Sequence, residues 1–519
     1  MISLMTSSDL RHAQPSVTDH PADLQRLINS VILPGFVGTT APQWLVRALA
    51  NGLAGVVYFS HNIDPETPGQ VAALSAELRA ANPTAVIGVD EEGGNVTRLE
   101  ARDGSSVPGA AVLGALNELD TTEAAGRAIG RLCRDAGINL TIAPVADVNT
   151  NPRNPVIGVR AFGADTELVS AHTAAAVTGI QHFKVAACAK HFPGHGDTVA
   201  DSHMDVARVE LSMDQMHHHH LPPFQAAVQA GVAAVMSAHI IIPELGEAPA
   251  TLNPAASALL REMGFEGVLI TDALDMAAVR ATVGPGEGAV LALLAGNDLL
   301  CVGNPLNAYT TGRDDESCYV EVYDALFTAV TSGRLPQETL RRAAARVQAL
   351  AQWSAGDLSP ASPEQLAAQE KYDDVDWVSV SARACRTDSL GKRPVLSGAG
   401  RVTLLDARTG HNMAAGPTEN FLATALAHYA LDSLHASELS SAELEVSLMQ
   451  SQGTVLVLTD SLAAPEQQDT LELALSVAPH AICINAGLAP ETPSSTATIH
   501  AHGFSRVTAQ AVVRVLETA

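Results

Sequence analysis

The feature that most constrains this chain is a repeated alternation between residues 31 and 303. Eight short apolar runs stand there: Val31–Gly38, Gly55–Ser60, Ala85–Asp90, Asn139–Pro144, Val185–Phe192, Ala233–Ile240, Gly267–Ala273 and Asn297–Gly303. Each is suited to a strand of a parallel sheet covered on both faces. Between them lie amphipathic stretches such as Gln70–Ala81, Leu168–Gln181, Met213–Ala230 and Pro254–Met263, which predict helices. Eight β/α repeats indicate an α/β chain whose sheet closes into a (β/α)8 TIM-type barrel. In such a barrel the polar chemistry gathers at the C-terminal ends of the strands. Asp90, Lys190, His191 and Asp272 all fall at such ends.

At 519 residues the chain exceeds the usual size of one core, so a second domain is expected. A helix around Pro336–Trp353 closes the first, giving a barrel domain over residues 1–354. Linker composition in Ser354–Pro363 and an irregular stretch near Gly391–Gly400 mark residues 355–400 as connection. Over residues 401–519, strands Arg401–Asp406, Gly453–Thr459 and Ala481–Ala486 alternate with helices Glu419–Leu431, Glu466–Ala478 and Thr508–Thr518. The pattern predicts a smaller α/β sandwich.

Charge narrows the partners. With 56 acidic against 30 basic residues the formal charge is −26, which disfavours nucleic acid and anionic membrane surfaces and favours a small neutral ligand. No apolar run is long enough to span a bilayer. Met1–Asp9 lacks a basic leader and an apolar core segment, and the six cysteines are scattered without a CxxC pair. They read as buried thiols in a reducing compartment, and the expectation is a cytoplasmic protein.

The densest chemistry is in Lys190–His203 (KHFPGHGDTVADSH), which follows the apolar run Val185–Ala189. A buried strand that delivers Lys and His, then a Gly/Pro loop with two more His and two Asp, is how a barrel rim presents polar groups. The residue types suit zinc, but Pro and Gly break the spacing and no helical His-Glu-x-x-His pattern exists, so no metal and no cofactor are expected. The run His217–His220 lies on a predicted helix and reads as a solvated face.

The segment KHFPGHGDT followed by Asp201-Ser202-His203 resembles the active-site signature of family 3 glycoside hydrolases, in the β-N-acetylglucosaminidase branch. Three further blocks agree in order: Val89–Arg98 (VDEEGGNVTR), Ala143–Asp147 (APVAD) leading to Gly158–Gly163 (GVRAFG), and Ile270–Met276 (ITDALDM). The resemblance implies Asp272 as nucleophile, His203 as acid/base and Asp201 as its partner. It implies Asp90, Arg98, Arg160, Lys190 and His191 as residues around the terminal sugar. The types fit: a carboxylate attacks the anomeric carbon, and an imidazole with an ordinary pKa near 6.5 both gives and takes a proton near neutrality. Gly93-Gly94 would let the backbone approach the sugar closely. Asn95 stands where the family commonly has a basic residue, and Glu91 where Gln is frequent.

From the residues alone, Asp272 is equally suited to cap the helix that follows, and Asp275 to favour that helix's N-terminal dipole. His195 and Asp197 read as loop scaffolding. The reading implied by the resemblance is a retaining β-N-acetylglucosaminidase releasing GlcNAc from small cell-wall or chitin-derived glycosides. The alternatives are a phosphorylase, since a neutral imidazole does not repel incoming inorganic phosphate, a β-glucosidase of the same family, or a sugar-binding protein without chemistry.

Overall fold

A computed structural model of the chain describes residues 22–198, 207–309, 313–355, 375–389, 396, 400–409 and 419–518. All eight apolar runs contain strands: Ile32–Pro34 (β1), Gly55–Tyr58 (β2), Val86–Val89 (β3), Leu140–Thr141 (β4), Ala186–Phe192 (β5), Ala234–Ser237 (β6), Val268–Thr271 (β7) and Leu300–Gly303 (β8). Strands β2 to β7 pair in sequence order, every pair parallel. The circle continues through the parallel bridge Ile270–Leu299 and the parallel β8–β1 pair. At the last seam Ala54 N donates to Asn29 O at 2.9 Å.

The alternation of side chains along each strand separates two cores. Along β5, Ala186 and Cys188 join Leu33, Leu140, Met236 and Ile270 in one cluster, whereas Ala187 and Ala189 pack in the larger cluster shared with the helices. Val347 and Leu350 of the helix Gln337–Ser354 join the first cluster, and Ser354 Oγ accepts from Asn139 Nδ2 at 3.1 Å. The predicted helices are present at Gln70–Ala81, Thr166–Gln181 and Pro254–Glu262. The Met213–Ala230 stretch is interrupted by a wider π-type turn over Met216–His220. His217, His218 and His219 are exposed there as expected, but His220 is buried, because its Cβ packs where a side chain at Gly194 would lie.

The second sheet is built from Arg386–Asp388 (β9), Arg401–Asp406 (β10), Ala430–His435 (β11), Thr454–Thr459 (β12), Ile482–Asn485 (β13) and Thr498–His500 (β14), in the order β9-β14-β13-β12-β10-β11. Only the β9–β14 pair is antiparallel. Leu404 and Leu456 face one apolar cluster with the helix Arg506–Glu517, while Leu405 and Val457 face another with Ser441–Gln450 and Pro465–Val477. The sheet is therefore covered on both faces. Part of the stretch expected to be connection is structured, since helix Trp377–Ala384 and β9 lie within 355–400. Residues 430–431, expected to end a helix, begin β11.

No helix of the described residues is long and apolar enough to cross a membrane. Cys133, Cys188, Cys301 and Cys483 are buried, Cys318 and Cys385 partly so, and all six are unpaired.

The helix Ala110–Leu116 shows how tightly the barrel loops are seated. A Cβ at Gly114 would lie 1.7 Å from the carbonyl oxygen of Phe162, just after Arg160. Ala is the better helix former by about 1 kcal/mol, but a clash with backbone forces the helix outward, at about 3 kcal/mol. Gly114→Ala is therefore expected to lower the urea midpoint of unfolding, a result checked by equilibrium denaturation.

Candidate active site

Parallel strands place their C-terminal ends on one rim, and three of these ends carry charge. Asp90 follows β3 directly, Lys190 and His191 lie within β5, and Asp272 follows β7 directly. Lys190 is 2% exposed, so its ammonium needs close counter-charges. Its Nζ donates to Asp90 Oδ1 at 2.9 Å and sits 2.6 Å from Glu92 Oε1. Glu92 accepts a fork of two bonds from Arg160, from Nε at 2.9 Å and from the terminal nitrogen at 2.7 Å. Arg98 lies 3.7 Å from the other oxygen of Asp90. Asp90, Lys190, Glu92 and Arg160 thus form a continuous chain of alternating charge.

Burial works against every charged form in this chain, and the partners outweigh it. Lys190 and Arg98 hold the Asp90 carboxyl below its ordinary value, while Arg160 and Lys190 hold Glu92 far below. The carboxylates in turn raise Lys190 and Arg160 above theirs. All four are ionised across the physiological range.

Asp147, after β4, is fully buried and organises the second half of the rim. It accepts from His191 Nδ1 at 2.7 Å, from the His191 backbone N–H at 3.2 Å and from the His195 backbone N–H at 2.7 Å. Burial opposes its charge, but His191 and the His195 contacts keep the carboxyl below its ordinary value. His195 Nδ1 lies 2.8 Å from Thr198 Oγ1, and burial depresses the His195 imidazole to about 4. Asp197 accepts from Thr150 at 2.8 Å, and Asn154 donates to the His195 carbonyl at 2.8 Å. These contacts tie down the loop through Thr198. Asp201 and His203 lie outside the described residues.

Asp272 is half-buried, its N–H donating to Ser237 O at 3.0 Å and its Oδ1 accepting from Ala273 N at 2.7 Å. It does not cap the next helix, Ala277–Arg280, whose N-cap is Met276. Asp275 stands two residues ahead of that helix, near its first turn. Its carboxyl accepts from Asn307 at 2.8 Å, packs against Gly303, and is pushed up to about 6 by burial. Gly93 and Gly94 have positive φ, but the close approach they permit is to the protein itself: a Cβ at Gly94 would lie 2.5 Å from Gly109 Cα.

The structure brings together Asp90, Arg98, Arg160, Lys190 and His191 of the expected set, and adds two carboxylates that the sequence reading left without a role, Glu92 and Asp147. Both lie in the quoted blocks VDEEGG and APVAD. The available signal was electrostatic, because three buried cations cannot share Asp90 alone. Among the described residues no cluster of His, Cys, Asp and Glu has the geometry to hold a metal ion.

Glu91 points away from this network. Its Oε2 accepts from the N–H groups of Arg98 at 3.0 Å and Leu99 at 3.1 Å, and burial pushes its carboxyl up to about 7. A folded-state value above the ordinary 4.5 contributes stability that is complete below about 4.5 and lost as the pH rises through 7. Glu91→Gln is expected to remove that loss. Relative to wild type it gains on the order of 3 kcal/mol between pH 5 and pH 8, measured by urea unfolding at both.

Comparison with known proteins agrees with this geometry. The sequence profile described as "Glycosyl hydrolase family 3 N terminal domain" matches residues 40–350. The chain is 38% identical over 289 residues to a beta-hexosaminidase of Stenotrophomonas maltophilia (strain K279a), covering 53% of this chain and 84% of that protein. Among solved structures, it is similar to a glycoside hydrolase family 3 beta-N-acetylglucosaminidase from Paenibacillus sp. str. FPU-7. That match has a TM-score of 0.80 and 32% identity over 95% of this chain and 96% of the other. A beta-glucoside phosphorylase shares the fold at a TM-score of 0.73 and 17% identity, covering 97% of this chain and 93% of the other. With the barrel, the rim and these matches in agreement, the chain belongs to glycoside hydrolase family 3.

Proposed function

We propose that this protein is a retaining β-N-acetylglucosaminidase that releases terminal GlcNAc from small cell-wall or chitin-derived glycosides. The observation that carries the reading is the half-buried Asp272 on the same rim as the hydrogen-bonding set Asp90, Lys190 and His191. The names of the similar proteins, a beta-hexosaminidase and a beta-N-acetylglucosaminidase, support the substrate class.

Asp90 accepts from sugar hydroxyls, and Lys190, Arg98, Arg160 and His191 fix its orientation or donate to its oxygens. A carboxylate oxygen of Asp272 bonds to the anomeric carbon as the glycosidic C–O bond breaks, and His203 gives its proton to the departing oxygen. Water then transfers a proton to His203, its oxygen bonds to the anomeric carbon, and Asp272 leaves as a carboxylate. Asp201 holds the imidazole in the productive tautomer. On this reading every bond-breaking group lies in residues 1–354, ahead of the connection at 355–400 and the domain at 401–519. The six unpaired cysteines support a cytoplasmic place of action.

The decisive experiment compares products from aryl GlcNAc and aryl glucoside, each with and without inorganic phosphate. Free GlcNAc in both buffers is the expected result. A sugar 1-phosphate would make the protein a phosphorylase, and preference for the glucoside would make it a β-glucosidase. Asp272→Ala is expected to abolish turnover while the melting curve stays cooperative, and a mechanism-based fluorosugar to label Asp272, read by peptide mass. His203→Ala and Asp201→Ala are expected to cost about a hundredfold or more with poor leaving groups and far less in the first step with activated aryl glycosides. Their effects should combine to less than the product of the two, as for groups acting as a unit.

A further inference from the structure

The second domain meets the barrel on the loop that carries the buried ion pairs. Between Glu92 and Arg98 the chain makes a tight turn through Gly93 and Gly94, with Glu92 N–H donating to Val96 O and Gly94 N–H to Val107 O, both at 2.9 Å. Asn95 stands at the tip. Its Oδ1 accepts the backbone N–H of Phe504 at 2.6 Å, from the short loop between β14 and the helix Arg506–Glu517. Phe504 is held from the far side, since the Arg408 guanidinium lies over its ring at 3.8 Å from the centroid. Arg408 is fixed by two bonds to Asp406, at the end of β10, of 2.9 and 2.7 Å. Farther along the barrel loop, Arg506 donates to Gly104 O at 3.1 Å and Val507 N–H to Ser105 O at 3.4 Å.

We propose that Asn95 is a positioning residue through which the second domain sets the geometry of the barrel loop 92–98. A Gly-Gly turn supplies no side chain of its own to pack, so the direction of its tip is decided by what the tip touches. Glu92 and Arg98 flank that tip; Glu92 serves the charge network through hydrogen bonds that tolerate displacements of only a few tenths of an ångström, and Arg98 through its ion pair with Asp90. The line Asp406, Arg408, Phe504, Asn95 connects the end of a strand in the second sheet to this turn through contacts that are each rigid: a fork, a stacked ring and a short hydrogen bond. The second domain thereby shapes the sugar site while contributing no bond-breaking group. The activity readout rests on the function proposed above, whereas the loop readout does not.

The test uses the full chain with Asn95→Ala, Asn95→Asp and Arg408→Met. Asn95→Ala removes the acceptor, and Asn95→Asp keeps one. Arg408→Met loosens Phe504 without touching the barrel. With aryl GlcNAc, Asn95→Ala is expected to raise KM about fivefold to tenfold, the size of one net hydrogen bond, with kcat within about twofold. Hydrogen exchange of the amides in 93–107 should quicken by a similar factor while those of β12 stay unchanged. Asn95→Asp should restore both readouts, and Arg408→Met should move both in the same direction by less. Unchanged exchange in 93–107 for Asn95→Ala and Arg408→Met overturns the proposal, with or without turnover of the aryl sugar. A loosened loop with an unaltered KM in an active enzyme also overturns it. An inactive wild type with a loosened variant loop instead counts against the assigned reaction and for the positioning contact.

Discussion

Everything at the barrel rim depends on one electrostatic constraint, that four buried charges neutralise one another in a line. Taking an ion out of water costs several kcal/mol even after relaxation, so Lys190 at 2% exposure and Arg160 at 6% are tolerable only with carboxylates at hydrogen-bond distance. Asp90 and Glu92 supply them, and each carboxylate is held by two cations. The arrangement requires β3 and β5 to end at the same height and the segment after β4 to fold back between them. A closed parallel barrel provides that register, and an open sheet with a different strand order would not. The same network holds a set of donors and acceptors at the rim in fixed orientations.

How much of this was legible follows from what makes a signal local. The eight barrel strands were readable because burial on both faces leaves continuous apolar runs such as Val185–Ala189, which recur between amphipathic helical stretches. The edge strand β11, Ala430–His435, is mostly exposed, so its start through Leu431 blended into the preceding helical pattern. Strands β9 and β14 are three residues long with a single apolar residue, Ile499, between them, too short for any period to register. At the site, Asp90, Lys190 and His191 were found by their places at strand ends. Glu92 and Asp147 acquire their roles from partners 68 and 44 residues away, and no spacing within a single sequence carries such a pairing. His220 failed for a related reason, since the groove that buries it is made by Gly194.

The rim also divides its labour between two carboxylates of opposite temper. Glu92, ringed by cations, stays charged; Glu91, its neighbour in sequence, faces backbone N–H groups in an apolar setting and binds its proton to near neutrality. Adjacent residues on a strand end point to opposite sides, and here one side holds the cations Lys190 and Arg160 and the other the N–H groups of Arg98 and Leu99. A single peptide step separates a carboxylate that organises ions from one that packs as a neutral group.

Three of the contacts between the two domains near the rim share a property: each uses at least one main-chain atom. Phe504 offers its N–H, Gly104 and Ser105 their carbonyls, and Val507 its N–H. The atoms that meet at those positions belong to the backbone, so the backbone path sets where they lie. An insertion or deletion in either loop shifts that path and with it every one of these contacts. The junction is a fit of two backbone shapes, so the length of each loop matters to it as much as the residues the loop carries.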